Sequence, residues 1–195
     1  MKLETAAGDA LAGYIPDLAR LRITVFREYP YLYDGSEAYE SQYLRTYTAS
    51  GEAMAVIASD DGVVVGASTG IPLARETEEF RRPFEAMGLD PATVFYCGES
   101  VLLPAWRGRG LYRAFFEARE AWARAQAGMA WIGFCGVMRP ADHPLRPAGW
   151  EPLDPVWRHF GYAPEPQLQT TFDWKDIDQA APSAHPMQFW LKRLD

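Results

Sequence analysis

The stretch Pro104-Ala105-Trp106-Arg107-Gly108-Arg109-Gly110 joins a β-like run at 94–103 to a helix-like run at 111–126. It is a cationic glycine loop feeding a helix N-terminus. The first N–H groups of such a helix have no intrahelical partners, and the peptide dipoles leave roughly half a positive charge there. Gly108 and Gly110 carry no Cβ, so phosphate oxygens can approach their amides, and Arg107 and Arg109 add full charges beside them. A pyrophosphate is the ligand this arrangement suits best.

Two well-known phosphate loops do not fit. A Walker loop needs Gly, four residues, then Gly-Lys-Ser/Thr, a run found nowhere in the chain. A dinucleotide fold needs a further Gly or Ala three residues after the second glycine, where this chain has Arg113. Arg107-Gly108-Arg109-Gly110-Leu111-Tyr112 resembles motif A of the GNAT N-acetyltransferases, (Arg/Gln)-x-x-Gly-x-(Gly/Ala), between a strand and a helix. Tyr112 stands where the last Gly or Ala belongs; it either crowds the backbone near the pyrophosphate or lays its ring against the pantetheine arm. The resemblance implies acetyl-CoA as cosubstrate, its pyrophosphate on residues 107–112.

The bulk numbers are those of an ordinary soluble globular protein. At 195 residues, one domain over 1–195 is the simplest reading, and it is long enough to bury a core without disulfides or metals. Apolar residues at 48% and charged residues at 23% are ordinary globular values. A net charge of −7 argues against nucleic acid or an anionic membrane surface and suits a cationic acceptor such as an amine. Glu4 and Asp9 stand where a signal peptide needs an apolar stretch, and no run is long enough to span a membrane, so a cytoplasmic location is expected. Cys97, Cys135 and three dispersed histidines show no metal-ligand spacing, so no metal is expected and the thiols read as buried and reduced.

Along the chain, residues 2–6 read as an edge strand. Pro16-Asp17 opens a helix that Pro30 stops, and Ser36 caps a second, running to Ser50 with Tyr39, Tyr43 and Tyr47 on one face. Segments 53–59 and 63–73 form a hairpin about Asp60-Asp61-Gly62, with Gly66 and Gly70 marking a bulge or a close backbone contact. A surface helical stretch at 74–90 precedes the strand, loop and long helix already described. A strand at 130–138 follows, then a proline-rich loop at 139–153, a short helix between Asp154-Pro155 and Gly161, and two closing strands at 168–174 and 187–194.

This order, apart from the 74–90 insert, is similar to the GNAT order. It implies an α/β (α+β) fold: a mixed, mostly antiparallel sheet with a splayed parallel pair, 94–103 and 130–138, and helices on both faces. The resemblance places Val101 and Leu102 against the pantetheine amides. Acetyl transfer to a primary amine by direct attack needs a base for the ammonium proton. Glu99, on the strand before the loop where the family often carries its base, is the candidate, with a salt bridge to a neighbouring Arg as the alternative. Cys97, two residues earlier, is expected on the same face as core packing. The family's acid, a Tyr in the short helix, is replaced by Trp157, which cannot deliver a proton at useful pKa; Tyr162 and Tyr112 are the substitutes. The Asn common after the strand ending at Met138 is missing. The first two helices and their turn set the acceptor in this family, which points to Tyr29, Tyr31, Tyr33 and Asp34, with His143 in the long loop as a further contact or a turn residue. The acceptor class is a small-molecule or peptide amine. Rival readings are a non-catalytic acyl-CoA binding or sensor module and a different acyl-CoA donor. The sequence does not fix an oligomeric state; Phe189 and Trp190 on the last strand are the candidate homodimer edge.

Overall fold

The computed structural model describes residues 1–195. In chain order the elements are β1 (Lys2–Ala7), α1 (Asp9–Ala12), α2 (Ile15–Phe26), α3 (Glu37–Tyr43), α4 (Arg45–Thr48), β2 (Met54–Asp60), β3 (Val63–Pro72), α5 (Glu78–Ala86), β4 (Val94–Tyr96), β5 (Ser100–Leu102), α6 (Leu111–Ala125), β6 (Trp131–Val137), α7 (Asp154–His159), β7 (Ala163–Trp174) and β8 (Ser183–Arg193). The sheet runs β1-β2-β3-β4-β6-β8-β7, with β5 continuing beside β3. Every pairing is antiparallel except β4 with β6.

Period-2 alternation divides each strand between two cores. In β2, Ala55 and Ile57 join the core beneath α2–α5, while Met54, Val56 and Ala58 join the core beneath α6 and α7. Helix α6 buries Leu111, Phe115, Phe116, Arg119 and Ala123, a stripe at helical spacing. Helix α5 buries Phe80 and Phe84 although Pro83 interrupts it; the Glu79 carbonyl that Pro83 cannot serve accepts the Thr170 hydroxyl at 2.8 Å. The β2–β3 turn has Asp61 at φ 47° and Gly62 at φ 81°, the left-handed pair that a two-residue hairpin favours.

Several sequence expectations change in detail. The helix over 36–50 divides at Leu44 into α3 and α4, with Ser36 capping the first by accepting the Tyr39 amide. The closing strands are longer than expected. The strand expected over 94–103 is two strands, with Cys97, Gly98 and Glu99 between them. That interruption creates the site.

Candidate active site

From Tyr96 to Ser100 the chain advances four residues while β3, from Ile71 to Ser68, advances three. The extra residue is a β-bulge, and it breaks the alternation. Cys97 faces the α6 side, whereas Gly98 and Glu99 both face the α2 side. The expectation that Cys97 and Glu99 share a face is therefore corrected. A side chain at Gly98 would collide with the Tyr47 hydroxyl, so the bulge needs glycine there. The carbonyl of Glu99 is fixed by the Thr69 amide at 3.1 Å and by the Ser68 hydroxyl at 2.8 Å. Buried Arg119 of α6 donates to both Ser68 Oγ at 2.9 Å and Ser100 Oγ at 2.7 Å, tying the second core to the bulge.

The bulge also ends the parallel pair. The Cys97 amide still bonds the Gly133 carbonyl at 2.8 Å, but β5 pairs only with β3. Glu99 O and Leu103 N both bond β3, so Val101, at the same parity, turns its backbone there too. Of the two residues expected to meet pantetheine, Leu102 faces the gap and Val101 does not.

On the α2 side of the bulge lies a cavity of ≈ 480 Å³. Arg22 of α2 bridges two carboxylates, Glu40 of α3 through Nε and Glu99 through Nη1. Both carboxylate side chains are 0% exposed, and Oε1 of each has no hydrogen-bond partner. Burial alone would lower the Arg22 pKa; the charges of Glu99 and Glu40 outweigh it and hold the guanidinium well above its ordinary value. Arg22 and Glu40 line the cavity, as does Gly98, and Glu99 stands beside Gly98. The rest of the wall is largely aromatic: Phe26, Tyr31, Tyr33, Tyr43, Phe172 and Trp174, with Glu79 and Asp173 as further acids.

Behind Tyr43, whose hydroxyl is 3.5 Å from that of Tyr47, a second buried acid is reached: Tyr47 donates to Glu76 at 2.9 Å. Burial pushes the Glu76 carboxyl up to about 7, against hydrogen bonds from Tyr47 and the Thr77 amide. The thiols are inert by the same cause, Cys97 pushed up to about 11 and Cys135 to about 12.

On the other side, Gly110 (φ 81°) caps α6 and Gly108 (φ 73°) precedes it, both left-handed and both with open space where a Cβ would point. Arg109 is exposed and lies 5.8 Å from the Trp106 ring; Leu111 is buried as the first residue of α6. Arg107 donates to the Leu102 carbonyl at 3.1 Å and pairs with Glu28 at 2.9 Å, linking the loop to the end of α2. Tyr112 packs edge-on against Phe116, and its hydroxyl accepts from Trp157 Nε1 at 3.0 Å. Tyr162 is removed from this chemistry: it is buried under α6 against Phe116 and Phe134 and donates to Glu120 at 3.3 Å, and burial raises its phenol far above the ordinary range.

Of the expected acceptor contacts, Tyr31 and Tyr33 line the cavity. Asp34 does not; it is paired with Lys175 at 2.6 Å and Arg27 at 3.0 Å. His143 is a half-buried turn residue whose Nδ1 accepts the Leu145 amide at 3.2 Å, its ring 5.8 Å from Tyr29. Phe189 and Trp190 are buried, and β8 is an interior strand, so they form no dimer edge. Arg22, Glu40, Tyr43, Tyr47 and Glu76 escaped sequence reading, although Tyr43 and Tyr47 at spacing four were visible. Arg139 and Asp176, joined at 2.7 and 2.8 Å, also escaped it; with Arg139 donating to the Tyr31 carbonyl at 2.7 Å, they hold one wall.

No protein-family model and no curated protein matches the sequence. Solved structures do match in shape. Ribosomal-protein-alanine N-acetyltransferase from Brucella melitensis superposes with a TM-score of 0.62 at 15% identity, covering 100% of both chains. NAA60 of Arabidopsis thaliana, in complex with acetyl-CoA, gives 0.62 at 12% over 99% of each chain. An aminoglycoside 6'-N-acetyltransferase complexed with coenzyme A gives 0.55 at 16%, over 100% of this chain and 98% of that one. The chain has the GNAT acetyltransferase fold. No helix is long and apolar enough to cross a membrane.

Proposed function

We propose that this protein is an acetyltransferase that moves an acetyl group from acetyl-CoA to a primary amine by direct attack, in the cytoplasm. The observation that carries the reading is the bulge. It opens a gap beside an unencumbered glycine loop on one side and turns the Glu99 carboxylate to the side of the cavity on the other. The pyrophosphate would lie on the amides of residues 108–111, with Arg109 as counter-charge and Leu102 presenting its backbone to the pantetheine arm. The residues fit that group: the glycines leave room for it, and Arg107 can exchange Glu28 for phosphate. Glu99 takes the ammonium proton, the amine nitrogen attacks the thioester carbon, and the carbon–sulfur bond breaks to release the thiolate. Tyr112, whose hydroxyl accepts from Trp157 and keeps its own proton to give, is the candidate acid for that thiolate.

One feature favours the binding-module reading: Trp157, where the resemblance expects the acid Tyr, has only an indole N–H, and that donates to Tyr112. The two readings part on catalysis. Thiol release from acetyl-CoA, followed across a panel of amines, is expected to rise with amine; release that ignores every amine while CoA still binds supports the binding module. A longer acyl-CoA in the same assay tests the donor.

A further inference from the structure

One guanidinium, that of Arg22, serves two carboxylates, so the floor of the cavity carries excess negative charge. Glu40 Oε1 and Glu99 Oε1 are both buried acceptors without a donor. Unpaired buried carboxylate oxygens are rare because desolvation is costly, and a native one calls for a missing partner. No lysine lines the cavity, and the only other charged groups in its wall, Glu79 and Asp173, are again acids. The missing partner is therefore a cation with N–H donors. Beyond the floor the wall is mainly aromatic: Trp174 and Phe172 face the space beside the phenols of Tyr31, Tyr33 and Tyr39, while Tyr43 already stacks on the Arg22 guanidinium at 4.6 Å. Such a wall offers more ring face than a peptide backbone or a sugar would cover, and so takes a ring. A cavity of ≈ 480 Å³ has room for one ring system on a short chain.

We infer that the cavity is a receptor for an aromatic primary monoamine in its ammonium form, whose N–H groups satisfy Glu40 Oε1 at the charged floor while its ring lies against Trp174 and Phe172. This deepens the proposed transfer reading by naming its acceptor class, and Glu40 is the specificity-determining residue.

The test is equilibrium binding to the full chain with no CoA thioester present, so its outcome is independent of whether transfer occurs. Calorimetry at neutral pH would compare 2-phenylethylamine, its neutral counterpart 2-phenylethanol, and the dipeptide glycylglycine. The amine is expected to bind at least tenfold more tightly than the alcohol, and the dipeptide more weakly than the amine. Glu40→Gln is expected to erase the preference for amine over alcohol while leaving the alcohol unchanged. Equal affinity of amine and alcohol for the wild-type chain overturns the inference, as does tighter binding of the dipeptide. The wild-type comparison decides the matter even if the variant does not fold.

Discussion

On the α2–α5 face of the sheet, the buried acids Glu40, Glu76 and Glu99 gather about half-buried Arg22 beside a cavity, with Oε1 of Glu40 and of Glu99 left unpaired. On the α6–α7 face, Phe116 stacks on Phe160 at 4.3 Å, and Phe134, Trp157, Tyr162 and Trp190 fill the space between helix and strand with ring contacts near 5 Å. The second face is packed ring on ring and holds no such group of acids, although Trp106 Nε1, Arg119 Nε and Trp122 Nε1 are unpaired there. The first holds three acidic side chains in low dielectric beside a void, an arrangement that costs stability and persists where a ligand uses it. Glu99, in the bulge, is the point where the two faces meet, its carboxylate on one side and its carbonyl clamped through Ser68 to Arg119 on the other.

The contrast can be broken most forcefully at the bulge. Glu99→Gln should lower amine-dependent thiol release by about 10²–10⁴-fold, the usual contribution of a general base, with CoA affinity unchanged. Equal loss of both would make Glu99 a structural partner of Arg22 alone. Next comes the wall: Arg139→Met strands Asp176 without its bidentate partner and should cost about 3–5 kcal/mol in denaturant unfolding. A loss under about 1 kcal/mol would show that Trp174 Nε1, at 3.0 Å, and His185, at 3.4 Å, suffice to hold Asp176.

Smallest, and opposite in sign, is Glu76→Gln. With its carboxyl at about 7 when folded and near 4.5 when unfolded, Glu76 keeps a proton in the native state that the unfolded chain has shed. Its contribution is full below about pH 4.5 and is lost as pH rises through 7, roughly 3 kcal/mol in all. The glutamine keeps the Tyr47 bond without that loss. It should match wild type near pH 4 and be the more stable protein at pH 8. Parallel stability curves from pH 4 to 8 would contradict the burial of a titrating acid.

What was legible in the sequence was local. The glycine loop, the caps at Ser36 and Gly110 and the alternation of β2 and β3 all act within a few residues of themselves, and they suffice for the fold class. The bulge was not legible, because residues 94–103 read as one β-like run and the extra residue shows only against the register of β3. The acceptor floor was illegible for the same reason: Arg22, Glu40 and Glu99 meet only through tertiary packing. Asp34 and His143 carried the right chemistry for an acceptor contact, but Asp34 is committed to Lys175 and Arg27 and His143 lies in a turn outside the cavity.

The central claim is that coenzyme A docks its pyrophosphate at the N-terminus of α6, across the sheet from the cavity. Calorimetric titration of CoA into wild type and Arg109→Glu tests it directly, because Arg109 is exposed and its reversal leaves the packing intact. The account predicts binding by wild type and a loss of at least about tenfold, ~1.4 kcal/mol, in the variant. Equal affinity in the two proteins, or no binding by either, would contradict it.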